Sequence, residues 1–109
     1  MLGAIFETHV LGQMRKSLAN RGRNIPIYFF RDHAGHELDF ILPVGKKFHV
    51  FECKWSGNPK LESKNIDAFK KIYGDEAVLS YSIINRLRGK RNLARDGVIL
   101  RDSVDFSDL

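Results

Sequence analysis

Charged residues set into two otherwise apolar strands constrain this chain more than any other feature it carries. Residues 36–42 (His-Glu-Leu-Asp-Phe-Ile-Leu) and 48–54 (Phe-His-Val-Phe-Glu-Cys-Lys) flank the turn Pro43-Val44-Gly45-Lys46-Lys47 and read as a β-hairpin. Side chains alternate between faces along a strand, so Glu37 and Asp39 share one face of the first strand and Glu52 and Lys54 one face of the second. With Asp39 opposite Glu52, or with the register slipped by two residues, all four charges fall on the same face, because only a one-residue slip flips a strand. Carboxylate oxygens are hard ligands, and an acidic pair beside an acid-x-Lys is a site for a divalent cation such as Mg2+ or Mn2+.

The rest of the chain can be fitted around that hairpin. Residues 2 to about 21 carry Gly3, Phe6, Val10, Leu11, Met14 and Leu18 at spacings of three and four, which predicts an amphipathic helix stopped by Gly22. Glu7 lies in the middle of that apolar face and needs a partner. Two readings stay open for it: a first-turn acid that suits the helix dipole and bends out to solvent or to a Lys or Arg, or a carboxylate aimed over the sheet at Asp39 and Glu52. Residues 24–31, with Ile25, Ile27, Tyr28, Phe29 and Phe30, predict a strand covered on both faces, and Asp32-His33-Ala34-Gly35 turns out of it.

Beyond the Asn58-Pro59 break, residues 61 to about 73 predict a second amphipathic helix with Leu61, Ile66, Phe69, Ile72 and Tyr73 inward and Gly74 past its end. Residues 77–84 predict a fourth strand, joined to the third through a helical crossover. Residues 97–100 add a short edge strand, and 102–109 are expected to form a terminal turn or a frayed tail.

Composition narrows the setting. A chain of 109 residues, 43% hydrophobic, fits one domain over 1–109. The lone Cys53 excludes an internal disulfide and points to a reducing, cytoplasmic location. No apolar run approaches the ~20 residues of a membrane helix, so no membrane partner is expected. His49 and Cys53 share a strand face, but His9, His33 and His36 complete no tetrahedral zinc set, which leaves Cys53 as a small buried hydrophobe. The net charge of +5 tilts partners toward phosphate-bearing polymers. Arg86, Arg88, Lys90, Arg91 and Arg95 form the densest basic segment, a solvated loop on one reading and a phosphate-holding one on the other.

At this point the residues carry a resemblance. A helix Glu, a strand Asp and a Glu-x-Lys on the next strand, in that order, resemble the PD-(D/E)xK nuclease superfamily. Gly3-Ala4-Ile5-Phe6-Glu7, Glu37-Leu38-Asp39-Phe40, Glu52-Cys53-Lys54 and the late Asp96-Gly97-Val98-Ile99-Leu100 are more closely similar to a domain of unknown function at the C-terminus of many prokaryotic AAA-type ATPases. Leu38 stands where the superfamily's namesake proline would be. The resemblance implies an α/β, restriction-endonuclease-like αβββαβ core: a central mixed four-stranded sheet flanked by helices. It implies Glu7, Asp39 and Glu52 as Mg2+ or Mn2+ ligands and Lys54 as the stabiliser of developing charge. Glu37 then backs the ligands or pairs with Lys54.

Two functions follow as expectations. One is a metal-dependent nuclease or nuclease-like domain binding DNA; the other is a non-catalytic interaction module that keeps Glu37, Asp39, Glu52 and Lys54 as a buried ion-pair network and works with an AAA-type ATPase. No Gly-x-x-x-x-Gly-Lys-Ser/Thr loop is present. Whether the chain is a fragment of a longer ATPase, a truncated product or a domain serving a separate ATPase stays open, as does a homodimer.

Overall fold

The computed structural model describes residues 2–54, 62–85, 93–95, 97–101, 106 and 109, with the backbone alone at 2 and 93–95. Helix α1 spans Leu2–Asn20. Phe6, Val10, Met14 and Leu18, one every four residues, form its buried stripe, while Leu11 is half-buried and Gly3 is exposed. Gly22, at φ 66°, follows the helix end, and the Arg23 and Gly22 amides donate back to Leu18 and Ala19 carbonyls. These bonds satisfy groups that the last turn would otherwise leave open.

Six strands make one sheet in the order β1-β2-β3-β4-β6-β5. They are β1 (Tyr28–Arg31), β2 (Glu37–Val44), β3 (Lys47–Lys54), β4 (Val78–Asn85), β5 (Leu93–Arg95) and β6 (Val98–Arg101). The β1–β2 and β2–β3 pairs are antiparallel, and β3–β4 is parallel. Helix α2 (Lys64–Tyr73) and a single 3-10 turn at Asp75–Ala77 make the crossover that a parallel pair requires. Mixed α/β architecture is therefore as expected, but the sheet has six strands rather than four. Residues 98–101 do not form an edge: β6 lies parallel to β4, and β5 covers its other side.

Each sheet face carries one core. On one, α1 packs on Phe40, Leu42, Phe51 and Ile84; on the other, Ile66 and Phe69 of α2 pack on Leu38, Ile41, Val50, Tyr81 and Ile83. Burying each such side chain contributes about 1.5–3 kcal/mol, enough to seat both helices. Phe69 meets Phe30 and Phe48 edge-on, with centroids 5.4 and 5.7 Å apart.

Several local expectations are corrected. The hairpin turn is the two-residue Gly45-Lys46, with Gly45 at φ 64°, so Pro43 and Val44 lie in β2. Pro43 is tolerated there because the β1 pairing stops at Tyr28–Ile41 and no β1 carbonyl requires its missing N–H. Strand β1 is an edge strand, which is why Tyr28 and Phe29 are exposed although the sequence run predicts cover on both faces. Ile72 and Tyr73 are exposed too, since α2 meets the sheet mainly through Ile66 and Phe69. The segment after β6 is not frayed where it is described. Phe106 and Leu109 are buried against α1, and Arg21 donates to the Phe106 and Leu109 carbonyl oxygens.

Candidate functional site

The site forms where the hairpin ladder comes apart. Phe30 lies opposite Leu38 but Tyr28 opposite Ile41, so β2 spends three residues where β1 spends two. This extra residue is a bulge in β2, and it breaks the alternation of faces: Leu38 and Ile41 both enter the α2-side core. Asp39, caught in the bulge, turns to the α1 side. The β2–β3 ladder runs from Val44–Lys47 to Phe40–Phe51. Beyond it the Cys53 amide N–H donates to Asp39 Oδ2 at 2.7 Å.

On the α1 side Asp39 meets Glu7, whose carboxyl lies within hydrogen-bonding reach of it. Glu7 is therefore aimed over the sheet rather than out to solvent, but at Asp39 and not at Glu52. A shallow groove of about 180 Å³, lined by Glu7, Phe29, Phe30, Arg31, Glu37, Leu38 and Asp39, opens there to solvent. Burial, opposed by the Cys53 N–H and reinforced by the neighbouring Glu7 carboxyl, pushes Asp39 up to about 7.

Glu52 lies on the other face. Position 50 of β3 enters the α2-side core and position 52 follows it, so Glu52 is buried at 4% exposure and accepts a 2.7 Å bond from the Tyr81 hydroxyl at Oε1. Its second oxygen faces Lys54 Nζ at 3.4 Å. Burial and the Glu52 carboxylate push the Tyr81 hydroxyl up, and burial with Asp39, Glu7 and Glu52 pushes the Cys53 thiol up, so neither ionises near neutral pH. The four charges are thus divided between two faces around Cys53, where strict alternation would place them on one. Among the described residues no three His, Cys, Asp or Glu side chains come close enough together to hold a metal ion.

A family model for a domain of unknown function, DUF4143, matches residues 2–100, from α1 into β6. The chain belongs to the DUF4143 family. No curated protein and no solved structure matches it.

Within this DUF4143 domain the remaining site residues fall as follows. Glu37 does not reach Lys54. It pairs with Arg31 across the β1–β2 edge at 3.0 Å, both side chains being more than half exposed, and its carboxyl lines the groove beside Asp39. Arg95 falls on β5. Arg86, Arg88, Lys90 and Arg91, the core of the basic segment, lie outside the described residues. No helix among the described residues is long and apolar enough to cross a membrane. His49 bonds Ser80 Oγ through Nδ1 at 2.5 Å, and Cys53 is half-buried against the α1-side core.

Two buried polar side chains escape sequence reasoning. Tyr81 stands in an apolar strand whose pattern gives no sign that its hydroxyl meets Glu52. Arg101 is fully buried, donating to Ser82 Oγ at 3.2 Å with its guanidinium 5.6 Å from the Phe51 ring and 5.9 Å from Phe106. The one available signal was its place at the end of an apolar strand, where a charge needs a buried partner.

Proposed function

We propose that this DUF4143 domain is a metal-dependent, nuclease-like domain acting on DNA, with a restriction-endonuclease-like core formed by α1, β1–β3, α2 and β4. The observation that carries the reading is the convergence of Glu7 and Asp39 at a solvent groove, one strand away from Glu52 and Lys54. These acids fit a hard divalent cation: their donors are carboxylate oxygens, they lie side by side, and the groove leaves room for water and a phosphate oxygen. Glu7 and Asp39 would hold Mg2+ or Mn2+, which supplies a Lewis acid for the phosphodiester and a water that ionises more readily. The Cys53 N–H fixes the Asp39 carboxylate, Tyr81 and Lys54 fix Glu52, and the Lys54 ammonium, at the strand end where its charge also acts on Asp39, would stabilise charge developing on a phosphate. The basic residues Arg86, Arg88, Lys90, Arg91 and Arg95 give the chain its phosphate contacts in this reading.

Incubation with single-stranded, duplex and branched DNA plus Mg2+ or Mn2+ tests it. Cleavage that falls at least about 100-fold in Asp39→Ala and Lys54→Ala is expected. Cleavage of none of these DNAs, or cleavage undiminished in both variants, overturns the catalytic claim.

One observation favours a second reading. Both oxygens of Glu52 already have partners, Tyr81 and Lys54, so half of the constellation is a closed network. On that reading the domain is a non-catalytic module that docks on an AAA-type ATPase. Calorimetry separates the two: the module takes up neither Mg2+ nor Mn2+, whereas the nuclease-like domain binds them and loses that binding in Asp39→Asn.

A further inference from the structure

Phe29 is the most exposed large apolar side chain among the described residues, at 72%, yet it stands in the wall of the carboxyl groove. We propose that Phe29 is a stacking platform for one unpaired nucleobase, so that the nucleic acid entering this groove is single-stranded or flapped rather than continuous duplex. The inference rests on the nuclease-like reading and names its substrate class.

Three features of the groove argue for it. The first is its size. A shallow groove of about 180 Å³, open to solvent, has room for one planar heterocycle beside the ring. The second is the ring's setting. β1 is the sheet edge among the described residues, and the Arg31 guanidinium lies 5.9 Å from the Phe29 ring centroid, held by Glu37. Aromatic rings and guanidinium planes are the two surfaces on which unpaired bases stack.

The third is the chemistry of the walls. Glu7, Glu37 and Asp39 offer acceptors only once ionised. With Glu7 and Asp39 serving a cation, Glu37, which lines the same groove and pairs with Arg31, is the remaining acceptor beside Phe29. An acceptor there repels a phosphate but takes a hydrogen bond from the exocyclic amino group of adenine or cytosine. An apolar protein surface seated on Phe29 would instead bury those carboxyls and Arg31 without compensating partners. A base in continuous duplex has neither its face nor this edge free, and extruding it means breaking its pairing and stacking.

The test is fluorescence anisotropy with labelled single-stranded, flapped and blunt duplex oligonucleotides, Ca2+ replacing Mg2+, on wild type, Phe29→Ala and Phe29→Tyr. Single-stranded and flapped DNA are expected to bind more tightly than blunt duplex. Phe29→Ala should weaken those two about 5- to 150-fold, the loss of one aromatic stack, leave blunt duplex unchanged, and be rescued by Phe29→Tyr. Circular dichroism establishes that Phe29→Ala is folded. As a second readout, the emission of Phe29→Trp should be quenched by single-stranded DNA and not by blunt duplex. If wild type binds DNA but Phe29→Ala weakens every form equally or none, the stacking inference falls and the DNA reading stands. If wild type binds no DNA of any form, both fall.

Discussion

Replacing Asp39 with Asn should stabilise this domain at alkaline pH and do almost nothing at acid pH. Asn reproduces the protonated acid: its carbonyl oxygen accepts from the Cys53 N–H, and its amide donates to Glu7, as a neutral carboxyl would. In the wild type the folded carboxyl holds its proton up to about 7, while the unfolded chain releases it near 3.8. Stability from this group is therefore greatest below about pH 4, falls as pH rises toward 7, and is flat above it. The interval from 3.8 to about 7, at ~1.36 kcal/mol per pH unit, corresponds to about 4 kcal/mol. Partial exposure to the groove and the coupling of Asp39 to a neighbouring carboxyl reduce this to about 2 kcal/mol. Urea unfolding of both proteins from about pH 4 to pH 8 measures it: the variant should gain about 2 kcal/mol at the upper end and match wild type at the lower. Mg2+ or Mn2+ added at the upper end should stabilise wild type alone, because a cation relieves the same repulsion that the proton does. A stability difference that does not change with pH, or a variant weaker at both ends, refutes the like-charge account of the pair.

Two further substitutions probe other parts of the fold. Tyr81→Phe leaves a buried Glu52 oxygen without its hydroxyl donor and should cost about 1–3 kcal/mol in urea unfolding; the double variant with Glu52→Gln should cost less than the two singles together. Phe106→Ala empties a site 1% exposed, 6.3 Å from the Phe51 ring and beneath the Arg101 guanidinium, and should cost about 3 kcal/mol or more by the same measurement. A loss under about 1 kcal/mol would mean that the segment after β6 is a loose tail.

What was legible in the sequence was periodicity. The four-residue spacing of Phe6, Val10, Met14 and Leu18 gave α1 and its buried face; Gly22, Gly45 and Gly74 marked chain reversals, and all adopt positive φ. The helix between two apolar runs gave the parallel β3–β4 pair. The conflict between Glu7 and its apolar surroundings pointed at Asp39, which it meets. The rest failed where periodicity carries no information. Leu38, Phe40, Ile41 and Leu42 are all apolar, so the run does not reveal which pair breaks alternation, and the bulge that turns Asp39 cannot be seen in it. The run from Ile27 to Phe30 looks doubly covered because apolar content alone does not report that a strand sits at an edge. Phe106 and Leu109 are flanked by Asp and Ser, and hydrophilic neighbours hid two core residues three apart.

The bulge also explains how this sequence tolerates its acids. Strict alternation from Ile41 would put Asp39 beside Glu52 on the α2 side, in a space that Tyr81, Leu38 and Val50 keep apolar. Two carboxylates would then share Lys54, and the uncompensated one would cost several kcal/mol at that depth. One extra residue in β2 sends Asp39 through to the α1 face instead, where the groove opens to solvent and the Glu7 carboxyl lies within hydrogen-bonding reach. Glu52 keeps its bonds to Tyr81 and Lys54. The same displacement takes Asp39 off the ladder and onto the Cys53 N–H, so one backbone irregularity separates like charges, satisfies an amide at the ladder's end and leaves a carboxyl pair facing solvent. A chain selected only for stability would dispense with both the bulge and Glu7, since an apolar residue at each position would fill the α1 face at lower cost. On the proposed function, that pair is the part of the site a divalent cation would occupy.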